Sequence, residues 1–281
     1  MPKTVENRHV GLDLAASREA PLSTLHKLRA IYEMVTDAPA TTSPQELRRL
    51  SCEAFVELFE GTDYLIFGEE HLPQTPGHVF IMNHLSNQLD DLPFDHFVPT
   101  VDAHFVSAMI LYRKYGEAPV RVVRKSNPGE HEHRRFYDRL GHIYVYSRCL
   151  NPAEYSLGVT LEERHRLFLD AASKHLRDGK NIVICPEGIS TKTENSPLPF
   201  KAGAFRLATY ARPEPLLVPV AVANFDKDIS RTKLVAVVHE PIRISEHIGG
   251  TFDDRSLYEF VNDYVYKCFR DYVHEAVRLA G

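Results

Sequence analysis

The chain has 281 residues, a formal net charge of −5 at neutral pH, and a composition that is 43% hydrophobic and 25% charged. That is the make-up of a globular protein with enough length to bury a sizeable core as one large domain or two small ones. The acidic balance, with a sequence pI near 6.3, argues against general nucleic-acid binding, which needs a basic face. Cys52, Cys149, Cys185 and Cys268 lie far apart with no Cys-x-x-Cys pair, which argues against a disulfide framework or zinc ribbon and for a reducing compartment. The N-terminus lacks a basic-then-apolar leader, and no apolar run approaches the roughly 18 residues that a membrane span needs. A cytoplasmic protein is expected; if it acts on lipids, it meets the membrane from the side or uses soluble carriers.

The first twenty residues show no periodicity and read as a loose arm. Leu25, Leu28, Ile31 and Val35 recur at spacings of three and four and predict a helix from Ser23. Ser43-Pro44-Gln45-Glu46 reads as a second helix start, with an N-cap serine and a proline at the first helical position. These helices form a hairpin whose expected role is to cover one side of a sheet, with the shaping of an apolar groove as the lesser alternative. Tyr64–Phe67 and Val79–Met82 are strand candidates. The segment 92–111 is apolar but irregular, with a strand candidate at His104–Val106 and a helix after it.

Arg121–Val123 is a further short strand, and 129–135 reads as a polar loop. Within it, His131-Glu132-His133 could clamp a metal from a strand, but no third ligand stands at a recognisable spacing, so no metal site is expected. His142–Tyr146 is β-rich and ends at Ser147-Arg148, an arginine suited to an anionic group or equally to a surface ion pair. Leu161–Asp178 is an amphipathic helix and Asn181–Cys185 a short central strand. A helix follows Lys201, where its N-terminus and the lysine could together hold a phosphate or carboxylate. Leu216–Val222 is another strand. Lys233–Val238 with Ile242–Ile244 reads as a closing hairpin or edge pair. A long helix over 256–279 carries an aromatic stripe that fits core packing. Strand, helix, strand in this order predicts an α/β fold with a mixed, largely parallel central sheet flanked by helices, behind an N-terminal helical hairpin. The division expected is an arm and hairpin over 1–62 and an α/β domain over 63–281.

The functional centre is the stretch from Ile81 to Asp91. An apolar strand ends abruptly in Asn83-His84, and carboxylates follow. A strand that delivers a histidine to its own end places an acid/base group on a rigid support. A nearby carboxylate can fix the imidazole tautomer and leave the other ring nitrogen free as a base. Taken by themselves, Ser86, Asn87, Asp90 and Asp91 could equally be the caps of a helix after the strand.

Together these residues resemble the glycerol-3-phosphate and 1-acylglycerol-3-phosphate (lysophosphatidate) acyltransferase family, roughly from Tyr64 to Val222. Phe67-Gly68-Glu69-Glu70-His71-Leu72-Pro73 looks like the family's lead-in, Asn83-His84 with Asp90 like its catalytic motif, and Gly141-His142-Ile143-Tyr144-Val145 with Arg148 like its second motif. Pro186-Glu187-Gly188 looks like the third, and Phe200–Phe205 and Val218-Pro219-Val220 like the helix and proline strand that follow. There are departures. Five residues, not four, separate His84 from Asp90, so Asp91 is the alternate partner, and the arginine of the second motif stands about one place late. Ile189 and Ser190 replace a threonine and an arginine, which weakens the case for a plain glycerol-phosphate acceptor unless Lys192 substitutes. Cys185 replaces an aromatic and reads as packing, since a thiolate inside an apolar strand is costly.

The resemblance implies acyl transfer from acyl-CoA or acyl carrier protein to a hydroxyl of a small phosphorylated or lipid acceptor. His84 would be the general base and Asp90 its partner. Arg148, Glu187, Gly188 and Lys201 would bind the acceptor's polar head. No cofactor beyond the acyl donor is implied. The competing expectations are a thioesterase or other hydrolase on the same site and a catalytically silent lipid- or carrier-binding protein.

Overall fold

The computed structural model describes residues 23–86, 99–146, 160–248 and 253–281. Its frame is a seven-stranded sheet: β1 (Tyr64–Phe67), β2 (Val79–Met82), β3 (Val120–Arg124), β4 (Ile143–Val145), β5 (Ile182–Ile184), β6 (Leu217–Ala223) and β7 (Leu234–Val238), in the spatial order β1-β7-β6-β2-β5-β3-β4. Every neighbouring pair is parallel except β6 and β7, which are antiparallel. The central strands read as unbroken apolar runs because both faces of the sheet are covered. On β2, Val79 and Ile81 enter one core while Phe80 and Met82 enter the other. Fully burying side chains of this size is worth ~1.5–3 kcal/mol each.

The first core is closed by α5 (Leu161–Arg177), α6 (Gly203–Tyr210) and the last helix, α8, over 254–280. The second is closed by α1 (Thr24–Thr36), α2 (Pro44–Phe59) and α3 over 101–115. A smaller cluster, including Tyr32, Leu47, Phe136 and Leu140, joins α1 and α2 to α4 (His131–Leu140). The N-terminal pair is thus a cover over the sheet. Its caps are those the sequence announces: Ser23 accepts the His26 N–H, and Ser43 accepts the Glu46 N–H ahead of Pro44. Arg48 ties the hairpin down by donating to the Leu140 carbonyl at 2.7 Å, at the end of α4.

Four local expectations change. His104–Val106 is helical, not a strand; α3 runs from α-helix at Val101–Phe105 into π-helix at Val106–Tyr112, and its apolar run is buried all round, which hides helical periodicity. The polar loop ends at Glu130, since His131 already opens α4. Ile242 makes only an isolated bridge to Leu217, and the chain turns into a short helix, α7 (Ile244–His247). On α8 the buried stripe is Phe260, Val261, Val265, Phe269, Val273 and Ala276, while Tyr258 and Tyr264 face outward.

Candidate active site

β2 and β5 are parallel neighbours, so their C-terminal ends lie side by side, where ligands of such sheets gather. The turn leaving β2 is held one backbone group at a time. The fully buried Asn83 continues the ladder with its side chain: its amide oxygen accepts the Val222 N–H at 2.8 Å, and its amide nitrogen donates to the Val222 carbonyl and to Ser196 Oγ, both at 2.9 Å. The His84 N–H donates to Glu187 Oε1 at 2.8 Å, and the Leu85 N–H donates to Asp102 Oδ2 at 2.8 Å. The Ser86 N–H and the His84 carbonyl both pair with the backbone of Thr191. A turn with this many of its polar groups claimed cannot easily repack.

This places the His84 ring against Asp102, with Nδ1 at 2.7 Å from Oδ2. Asp102 is fully buried in the first turn of α3, where the helix N-terminus favours negative charge, and its Oδ1 accepts the Ala103 N–H at 2.7 Å. The carboxylate on His84 is therefore one that motif spacing passed over. Asp90 and Asp91, which that spacing singled out, lie outside the described residues, as does Arg148. The signal available for Asp102 was a helix start, Thr100 followed by an acid in the first turn.

The His84 side chain is 19% exposed, and its Nε2 has no hydrogen-bond partner among the described residues. The ring lines a cavity of about 1170 Å³. The cavity lies where the sheet forks. β3 pairs with β5 only through Val120↔Ile182 and Arg121↔Val183, although β3 continues to Arg124 and β5 to Ile184. Val122, Ile143, Phe168, Leu169 and Ile184 give the cavity an apolar wall, while His84, Arg121, His142 and Lys201 supply polar groups. That combination suits a ligand with a chain and a charged head. No residue of α1 or α2 lines it, so the hairpin covers the sheet and does not shape the groove.

Glu187 lies beside His84 but turns inward. It is 2% exposed, and its second oxygen accepts the Leu198 N–H at 2.7 Å. With both oxygens on backbone donors it staples the His84 turn to the segment before α6. Gly188 has φ +73°, and a Cβ there would meet the Lys201 side chain, 2.9 Å from Cε. The glycine lets Lys201 lie across the third motif, and Lys201 has no carboxylate partner among the described residues. Lys192, by contrast, does not line the cavity.

The electrostatics follow from burial and from this carboxylate pair. Burial pushes the His84 pKa down, but the charge and hydrogen bond of Asp102 outweigh it and the net shift is upward. Burial raises Glu187 to about 7 against the lowering effect of its two backbone donors. Cys185, on the cavity wall, is pushed well above the usual thiol range by burial and then by Asp102 and Glu187. That opposes a nucleophilic role. The residues of the His131-Glu132-His133 run diverge: Glu132 accepts from Tyr32, and His133 is buried with Nδ1 at 2.7 Å from Ser126 Oγ. The described residues hold no group of three or more potential ligands arranged for a metal.

A histidine braced by a buried carboxylate, at the strand ends of a mixed α/β sheet and open to a cavity, has the means to take up or give a proton there. Residues 65–223, more than half of the chain, match the family model described as Acyltransferase, and the protein belongs to that family. Among solved structures, the chain is similar to the 1-acyl-sn-glycerophosphate (LPA) acyltransferase PlsC from Thermotoga maritima, at 14% identity and a TM-score of 0.49 over 88% of this chain and 94% of that one. No curated protein matches it.

Proposed function

We propose that this acyltransferase moves a fatty acyl group from an acyl-CoA or acyl-carrier-protein thioester to a hydroxyl of a glycerol-phosphate-like or other lipid-precursor acceptor. The observation that carries this is His84, with Nδ1 held by Asp102 and Nε2 beside the cavity without a hydrogen-bond partner among the described residues. Nε2 takes the acceptor's hydroxyl proton as the oxygen attacks the thioester carbonyl. Asp102 holds the ring and stabilises the imidazolium. Collapse of the tetrahedral intermediate breaks the C–S bond, and the imidazolium returns the proton to the departing thiolate, so no covalent enzyme intermediate is needed. The acyl chain lies along the apolar wall of the fork. Lys201, with Arg148, pairs with the acceptor's anionic head, and Gly188 gives that head room. Glu187 acts through the His84 turn. Work at a cytoplasmic face with peripheral membrane contact fits a chain in which no described helix is long and apolar enough to cross a membrane.

The test is thiol release from acyl-CoA and acyl-carrier thioesters with glycerol 3-phosphate, lysophosphatidate or no acceptor, in wild type and His84→Ala. Acceptor-dependent release that falls ~10²–10⁴-fold in the variant is expected, the usual contribution of a general base. Release that ignores the acceptor would instead identify a thioesterase, and a folded protein that binds acyl chains without turnover would be a binding module.

A further inference from the structure

β6 runs out into Asn224-Phe225-Asp226, and this short turn touches both of the elements that hold His84. Asn224 takes the left-handed conformation at φ +70°, as no other described non-glycine residue does, and its Nδ2 donates to the Lys233 carbonyl at 3.1 Å. Phe225 is buried edge-on against Phe105, with ring centroids 4.9 Å apart, and Phe105 belongs to α3, the helix whose first turn carries Asp102. Asp226 is fully buried and faces the segment that follows the third motif. Its Oδ2 accepts the Thr193 N–H at 3.2 Å, and its Oδ1 accepts the Thr193 hydroxyl. That hydroxyl in turn accepts the Asn224 N–H at 3.1 Å. Two residues before Thr193, Thr191 bridges to Leu85 as a parallel strand would. The Thr191 N–H donates to the His84 carbonyl at 3.0 Å, and the Thr191 carbonyl accepts the Ser86 N–H at 2.8 Å.

A buried carboxylate is costly unless it is paired or well hydrogen-bonded. No cationic side chain lies within ion-pair distance of Asp226 among the described residues, and the adjacent Lys227 pairs with Glu194 at 3.1 Å. What Asp226 receives is two donors from one residue, and only an ionised carboxylate offers an acceptor to each. An amide in its place strands one of them. With its nitrogen toward the hydroxyl, the Thr193 O–H loses its acceptor; with its nitrogen toward the backbone, the Thr193 N–H does. Neither Asp226 nor Thr193 lines the cavity, so neither meets a ligand there. We propose that Asp226 is a positioning residue of the acyl-transfer site: through Thr193 it fixes the segment in which Thr191 grips the His84 turn, and so keeps His84 Nδ1 in register with Asp102. Phe225 sets the other side of the same pair, so one turn spaces the strand that carries the base from the helix that carries its carboxylate. This deepens the acyltransferase reading and rests on it for His84 as the base.

The test uses the full chain and two volume-conserving variants, Asp226→Asn and Thr193→Val, beside Thr193→Ser, which keeps the hydroxyl. Urea unfolding and near-ultraviolet circular dichroism fix a temperature at which all are folded, and rates are taken there. Asp226→Asn and Thr193→Val should lose ~10–100-fold in kcat, the cost of a small misplacement of a reacting group, with donor KM little changed and Thr193→Ser close to wild type. Apart from turnover, the His84 Nδ1–H resonance, assigned by its loss in His84→Ala, should move in the two slow variants and stay in place in Thr193→Ser. A folded Asp226→Asn with wild-type kcat would overturn the proposal. So would a fall in kcat with an unmoved His84 resonance, or a Thr193→Ser variant as slow as Thr193→Val. If wild type turned over no thioester while the resonance moved as expected, the acyltransferase reading would fail and the positioning of His84 by Asp226 would stand.

Discussion

Asp102 Oδ2 stands 2.7 Å from His84 Nδ1, and the same oxygen accepts the Leu85 backbone N–H at 2.8 Å. One atom thus orients the ring and fixes the turn that carries it, so the carboxylate has two jobs that substitution can separate. Asp102→Asn keeps the size but has only one oxygen. If that oxygen keeps the place of Oδ2, it still accepts from the Leu85 N–H and from Nδ1–H, but the negative charge that stabilises the imidazolium is gone. The expected outcome is a fall in kcat of ~10²–10⁴-fold with donor KM little changed, as for loss of a triad carboxylate. Asp102→Ala should in addition lower stability by ~1–3 kcal/mol, because it strands the Leu85 N–H as well. Steady-state kinetics beside urea unfolding of both variants would show it. Equal loss of stability in the two would mean that Asp102 is a structural clip only.

The pH dependence follows from the same pair. General-base catalysis needs neutral His84, and Asp102 favours the charged form, so the rising limb of kcat/KM should lie above the ordinary imidazole value of about 6.5. In Asp102→Asn the limb should move to lower pH. For stability, the raised folded pKa of His84 means its contribution is fully present below the unfolded pKa and is lost as pH rises through the folded one. Glu187 acts in the same direction. Its carboxyl stays protonated in the fold up to about 7 while the unfolded chain ionises from about 4.5, so stability falls as pH rises across that window and then levels. His104 and His142, kept neutral by burial, oppose this by losing stability as pH falls below about 6.5. The quantity to measure is therefore the difference in unfolding free energy between wild type and Glu187→Gln across pH 4 to 8. A difference that does not vary with pH would mean that Glu187 titrates in the fold as it does in the unfolded chain.

Cys185 provides a check on the route of transfer. It lines the cavity near Asp102 and Glu187, where an acyl-thioenzyme is the obvious rival to direct attack. Burial and those two carboxylates suppress its thiolate. Cys185→Ala should keep kcat within ~3-fold of wild type, since the change removes only a small, half-buried side chain, and mass spectrometry of wild type under turnover should find no acyl adduct on it. Loss of turnover together with an adduct in wild type would replace direct transfer by a two-step mechanism.

The sequence made visible what is local. Val79–Met82 announces a strand because it is a short apolar run that ends at a polar turn, and its end places His84. Pro44 and Ser43 announce α2 because capping is a matter of a few adjacent residues. Asp102 was not legible for the opposite reason. It acquires its role only when α3 brings it against Leu85 and His84, 17 and 18 positions away. Glu187 was legible as a motif residue but not in its action, since the backbone N–H groups of His84 and Leu198 that claim it are invisible in a list of side chains. The helix at 101–115 was misread because burial on every side removes the polar stripe that periodicity relies on.

Gly188 joins the backbone of the third motif to the lysine that faces the cavity. At φ +73° it occupies the left-handed region, and any Cβ would press on Lys201 along its length, from Cδ to the amine. Gly188→Ala therefore has two effects with separate readouts. Backbone strain at a non-glycine residue in this region should cost ~1–2 kcal/mol of stability in urea unfolding. Displacement of Lys201 should raise KM for a phosphorylated acceptor. Lys201→Met isolates the second effect, since it removes the charge and keeps glycine in the turn. If Lys201→Met left acceptor KM unchanged, the lysine would be a mere cover over the turn.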